Sequence, residues 1–200
     1  MISLKELINE IEMGKTAMST KTPAPSVVWL YDTGKIKGDI LDYGAGLGRN
    51  ADFLRSKGLK VYAYDPYNGK SVDGYTSVSN IVPSDKFDVG FTCFVLNVTN
   101  AELEKNIINK VDSLASKVYH IVRNKDVVDM IGGALARRDK TVTSSFIKSG
   151  GNIDNYTKED ILKFSAIGTN TSKGFQRVLF LERDGFQLLK LASLYKIYTK

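Results

Sequence analysis

Asp39-Ile40-Leu41-Asp42-Tyr43-Gly44-Ala45-Gly46-Leu47-Gly48-Arg49-Asn50 reads as a short buried strand, a glycine-rich turn and the start of a helix. Further on, Val61-Tyr62-Ala63-Tyr64-Asp65 reads as a second strand ending in an acid. Glycines let a ligand approach the backbone with no Cβ in the way. N–H groups at the start of a helix can hold an anionic group. A carboxylate at the end of the next strand can accept hydrogen bonds from ribose hydroxyls, so the pair of features suits a nucleoside-containing cofactor.

Three ligand-binding turns compete for this stretch. A dinucleotide fingerprint, G-x-G-x-x-G, needs glycine at position 49, where Arg49 stands; glycine falls instead at 48. A phosphate-binding P-loop needs a Gly-Lys-Ser or Gly-Lys-Thr ending, which the turn lacks. The third is a turn for S-adenosylmethionine. A turn that only packs a helix on a strand would explain the glycines but not the acid spaced after them.

The rest of the chain repeats the alternation. Arg49 to Lys57 has the pattern of a helix stopped by Gly58. Residues 77–82 hold a weak third strand, and Phe87 to Leu96 is a near-continuous apolar run, as expected of a central strand covered on both faces. Ala101 to Ser116 places Leu103, Ile107, Val111 and Leu114 on one helical face, and Val118 to Val122 is the next strand. Strands alternating with helices predict an α/β fold: a doubly wound, mainly parallel, seven-stranded Rossmann-like sheet. Arg177 to Glu182 and Phe186 to Tyr198 read as strands on either side of Arg183-Asp184-Gly185, and the Asp-Gly pair predicts a C-terminal antiparallel hairpin there.

Two segments lie outside that rhythm. Residues 1–34 read as an N-terminal helical cap: an amphipathic helix over 2–12, a polar stretch with Pro23 and Pro25, and a short helix from Val27 to Asp32. Residues 124–156 read as a polar insertion or lid, with a helical pattern from Asp126 to Arg138 and a Ser-, Thr-, Gly- and Lys-rich loop over 139–155. Thr157-Lys158-Glu159-Asp160 looks like a helix start. The whole of 1–200 is expected to form a single domain.

Composition narrows the class. The chain has 42% apolar and 25% charged residues, as in a water-soluble globular protein, and no apolar run approaches the ~18 residues of a membrane span. One cysteine rules out an internal disulfide framework and suits the cytoplasm, and with a single histidine no metal site is expected. The net charge of +6 favours acidic partners, nucleic acid among them, or reflects a solvated lysine-rich surface.

Asp42-Tyr43-Gly44-Ala45-Gly46-Leu47-Gly48 resembles the acidic-x-Gly-x-Gly-x-Gly motif of class I S-adenosylmethionine-dependent methyltransferases. Asp65 matches the ribose-binding acid of that family, and the family's last strand inserts antiparallel beside the sixth. A narrower resemblance covers roughly residues 38–123. Asp42-Tyr43-Gly44, Asp65-Pro66-Tyr67, Asp88-Val89-Gly90-Phe91, Val95-Leu96-Asn97-Val98 and Val122-Arg123 are similar in order to segments of methyltransferases associated with DNA phosphorothioation.

The resemblance implies S-adenosyl-L-methionine as cofactor, with Asp42, Gly44, Gly46 and Asp65 holding it and Tyr43 and Leu47 lining the site. Tyr67 would lie beside the adenine or ribose, Lys21 would close over the methionine carboxylate, and Ser84-Asp85 is the candidate for the adenine-facing acid. Asn97, ending the fourth strand, and Arg123, ending the fifth, are the candidate catalytic residues, because acceptors sit beyond the carboxyl ends of the strands. His120 and Cys93 read more simply as buried strand residues. The Asp-Pro-Pro-Tyr segment of DNA amino-methylating enzymes is replaced by Thr92-Cys93-Phe94-Val95-Leu96-Asn97, and Cys93 lacks the Pro-Cys context of cytosine carbon-5 methylation. The expected function is therefore methyl transfer to an acceptor that the sequence does not specify, nucleic acid slightly favoured over a small molecule. The alternative is a non-catalytic cofactor-binding module acting through protein or nucleic-acid contacts.

Overall fold

A computed structural model of the chain, which describes residues 20–67, 78–171 and 174–200, turns the alternation into a seven-stranded sheet. The expected helix over 2–12 lies outside the described residues. Helix α1 (Pro25–Asp32) starts with proline at its first turn, where a missing N–H costs nothing. Strand β1 (Asp39–Tyr43) runs through the glycine turn into α2 (Arg49–Ser56) and β2 (Lys60–Tyr64). The weak third strand is the two-residue β3 (Val78–Ser79), followed by β4 (Phe87–Cys93). A short 3-10 turn (Leu96–Val98) leads to α3 (Ala101–Leu114), whose first turn is capped by the Asn100 side chain accepting from the Leu103 N–H at 2.9 Å. Strand β5 (Ala115–Arg123) follows directly.

The sheet order is β3-β2-β1-β4-β5, with these five strands parallel, followed by two strands from the end of the chain. The last strand, β9 (Tyr195–Thr199), lies antiparallel between β5 and β8 (Gln187–Leu191), as the family resemblance implies. The hairpin itself is displaced from its expected place. Its turn lies between Leu191 and Tyr195, closed by the Ala192 N–H donating to the Tyr195 carbonyl at 2.9 Å. Arg177 to Glu182 is not a strand. Leu181–Asp184 is a 3-10 turn, and Gly185 leaves it in the left-handed conformation, φ 81°. The Asp-Gly pair signals that helical exit, a chemistry it shares with a hairpin turn.

One apolar layer fills the α1/α2 side of the sheet, around Leu30, Ile40, Leu54, Phe91 and Ile121. Another fills the α3 side, around Leu96, Val111, Val122 and Tyr198. The region after β5 is largely helical: α4 (Lys125–Ala136) where a helical pattern was expected, α5 (Lys140–Lys148) in place of the loop expected over 139–155, and α6 (Lys158–Ile167) at the expected helix start, then the two short strands β6 (Thr169–Thr171) and β7 (Gly174–Gln176). It has its own apolar cluster, with Ile131, Leu135, Val142, Phe146 and Phe164 buried together. Asp139 caps α5 by accepting from the N–H groups of Thr141 and Val142. Thr157 and Asp160 form a capping box at the expected start of α6. No helix among the described residues is long and apolar enough to cross a membrane.

Candidate cofactor site

The glycine turn folds over the end of the neighbouring strand. The Gly44 and Ala45 N–H groups both donate to the Tyr64 carbonyl, at 2.7 and 2.9 Å. Gly44, Gly46 and Gly48 adopt φ of 80°, 58° and 85°, a region that side chains rarely enter. At Gly44 there is also no room, because an added Cβ would lie 2.4 Å from Val95 Cγ2. Gly44→Ala is therefore expected to lower stability by roughly 1–3 kcal/mol in thermal unfolding. Adding Val95→Ala relieves the clash and leaves the backbone strain, so the double variant should recover only part of the loss.

Asp65 braces the same turn. Its Oδ2 accepts from the Gly46 N–H and its Oδ1 from the Tyr67 N–H, both at 2.9 Å. The acid expected to hold a ribose is thus also built into the loop that would face it. Asp42 sits on the same face of β1 as Ile40, toward α1 and α2. It is completely buried, and among the described residues neither carboxylate oxygen has a hydrogen-bond partner. Burial pushes its pKa up to about 7, with the Asp65 charge adding and Arg55 and Arg49 opposing.

Around this pair the other expected residues are spread. Tyr43 points to the opposite face of β1, toward α3, where its ring lies 4.7 Å from that of Tyr64; burial pushes its phenol up to about 12. Leu47 is half-buried in the turn, and Tyr67 is 40% exposed just past Asp65. Lys21 is exposed, one residue before Thr22, whose carbonyl accepts from Arg49 Nη1 at 3.2 Å. Asn50 accepts from the Ala24 N–H at 2.9 Å, so the segment entering α1 is strapped across the start of α2. Ser84 and Asp85 are exposed between β3 and β4.

At the carboxyl ends of β4 and β5 the two candidate catalytic residues meet. Asn97 is fully buried, and its amide bonds the backbone: it donates to the Arg123 and Arg177 carbonyls at 3.0 and 2.5 Å and accepts from the Arg123 N–H at 2.6 Å. The Arg123 guanidinium donates to Asp126 at 2.5 Å and lies 4.6 Å from the Phe94 ring centroid. Tyr195, at the start of β9, is paired in register with Arg123. His120 is buried with Nδ1 2.9 Å from the Thr92 hydroxyl and its pKa held down to about 3 by burial, which suits a neutral core residue. Burial pushes the Cys93 thiol up to about 12, which leaves it a poor nucleophile. Tyr195 and Arg177 carry no motif and are not among the expected site residues, and Asn50, the last residue of the quoted glycine stretch, had no role expected of it.

These residues fit a nucleoside bearing a positive charge. A buried carboxylate with no hydrogen-bond partner among the described residues suits a cation, bare glycine backbone admits close approach, and a braced acid suits ribose hydroxyls. The sequence matches no family model and no curated protein. Solved structures do match along nearly the whole chain. A protein of the conversion of a disulfide bond into a thioacetal group during echinomycin biosynthesis aligns at TM-score 0.58 and 13% identity, over 99% of this chain and 92% of that one. The 1,6-didemethyltoxoflavin-N1-methyltransferase of Burkholderia thailandensis, with its substrate and S-adenosylhomocysteine bound, aligns at TM-score 0.52 and 13% identity, over 96% and 79%. DhpI bound to S-adenosylhomocysteine aligns at TM-score 0.51 and 14% identity, over 98% and 97%. With the inserted antiparallel β9 and the glycine turn at the end of β1, the chain has the fold of the class I S-adenosylmethionine-dependent methyltransferases.

Proposed function

We propose that the protein transfers a methyl group from S-adenosyl-L-methionine to a small-molecule acceptor. The observation that carries this reading is the pairing of a left-handed glycine turn with two carboxylates, Asp42 and Asp65, at the carboxyl ends of β1 and β2. When bound, the cofactor supplies a methyl group on a sulfonium, already a strong electrophile. The chain has then mainly to hold and orient. Asp65 would accept from the ribose hydroxyls while keeping Gly46 in place. Asp42 would balance the positive charge, and Lys21 would close on the carboxylate.

The acceptor would enter over the carboxyl ends of β4 and β5, bounded by Phe94, Arg123 and Tyr195. Asn97 acts there as a positioning residue, since its amide fixes the backbone of Arg123. A small molecule is favoured over nucleic acid because the toxoflavin enzyme of similar fold binds one.

Asp65→Ala should weaken S-adenosylhomocysteine binding roughly 10- to 100-fold by calorimetry, the worth of hydrogen bonds to a charged acceptor. Unchanged affinity would remove Asp65 from the site. Labelled-methyl transfer into metabolite, DNA, RNA and protein pools tests the acceptor. Label in nucleic acid alone would refute the small-molecule assignment, and binding of cofactor without transfer to any pool would favour a non-catalytic module.

A further inference from the structure

The segment leaving β4 joins the glycine turn to the helical insertion with little slack. At its start Phe94 adopts φ 63°, rare for a bulky side chain, with its N–H donating to the Ile121 carbonyl at 2.9 Å. Val95 then fills the space against Gly44. Two residues on, the Asn97 carbonyl accepts from the Arg177 N–H at 2.9 Å, while its side chain grips the Arg177 carbonyl. Arg177 is 6% exposed. Its Nε donates to the Thr99 carbonyl at 2.8 Å, and its Nη2 pairs with Glu104. The next residue, Val178, donates to the Ser165 carbonyl in α6 at 2.9 Å. Packed and hydrogen-bonded neighbours therefore run without a break from Gly44 through Val95, Asn97 and Arg177 to α6.

We propose that Arg177 is a positioning residue that, through Asn97 and Val95, couples occupancy of the glycine turn to the order of β7 and α6. The proposal rests on the reading of the turn as a cofactor site. Close-packed contacts transmit displacement. The left-handed Phe94 is a conformation the segment would leave if released, which gives a ligand on the turn a state to bias.

Hydrogen exchange of the full chain, with and without saturating S-adenosylhomocysteine, tests the coupling. In the wild type, slowing at Gly44 and Gly46 should be accompanied by slowing of roughly threefold or more at Arg177 and Val178. Arg177→Lys keeps the charge and loses the guanidinium fork that anchors the Arg177 backbone, against which Asn97 is bonded, to Thr99, Asn100 and Glu104. Val95→Ala opens the contact at the turn and spares the Arg177 network. Both variants should keep the ligand effect at Gly46 and lose it at Val178. A merely structural Arg177 would change basal exchange and keep the ligand-induced ratio. Ligand binding that slows the turn but leaves Arg177 and Val178 unmoved in the wild type overturns the coupling alone, as does an intact ratio in both variants. Absence of binding heat in calorimetry overturns the cofactor reading and the coupling with it.

Discussion

Glu104→Leu is expected to lower the free energy of unfolding by about 3–5 kcal/mol, the usual cost of leaving a buried charge without its partner. Glu104 and Arg177 are 8% and 6% exposed and form an ion pair between α3 and the segment just after β7. The guanidinium also serves the Thr99 and Asn100 carbonyls. Removing the carboxylate leaves a cation that burial already disfavours, as the lowered pKa of Arg177 indicates. The pair itself need not stabilise the fold. Desolvating two charges offsets most of their attraction, so replacing both should cost much less than replacing one. Urea unfolding of Glu104→Leu, Arg177→Leu and the double variant checks this. The double variant should lie well above either single variant, with the slope against denaturant unchanged. Additive losses would show that each side chain acts separately, through packing alone.

What the sequence made legible was local chemistry. The glycine turn, the acid after β2 and the helix start at Thr157 each follow from backbone demands within a few residues, and each stands where expected. The central strand β4 was readable because burial on both faces leaves a continuous apolar run. Helix α5 was hidden because its buried contacts are only Val142 and Phe146, one turn apart, among Thr and Ser side chains that also suit a loop. The misplaced hairpin came from a glycine whose left-handed conformation serves more than one kind of turn. Arg177 could not be found at all. Its partners lie 73 and 78 residues away, and no periodicity connects them. Asn97, expected to end the fourth strand, lies in the 3-10 turn past β4, which stops at Cys93, and its buried amide speaks to backbone. Sequence patterns report which backbone a segment needs; they do not report which distant carbonyl a side chain will meet.

Asp42 should make the ligand-free protein less stable as pH rises. Its folded pKa of about 7 stands above the ordinary 3.8, so the folded state holds a proton that the unfolded chain gives up earlier. The contribution is present in full below the unfolded value and is lost progressively as pH rises through about 7. A difference of about three pKa units corresponds to about 4 kcal/mol at most. Asp42→Asn removes the titration, so its stability relative to wild type should climb between about pH 4 and about pH 7, as the wild type falls, and level off above that. Urea unfolding at a series of pH values measures the difference, and parallel curves would mean that Asp42 does not titrate in this range. Ligand binding supplies an independent check. A cationic cofactor on the turn favours the ionised carboxylate, so binding near neutral pH should release a proton and strengthen as pH rises. Calorimetry with S-adenosyl-L-methionine in buffers of different ionisation enthalpy reads that proton directly, and S-adenosylhomocysteine, which lacks the sulfonium, should release less of it. Its disappearance in Asp42→Asn, with the ligand still bound, would place the titrating group at residue 42 and its charge beside the cation.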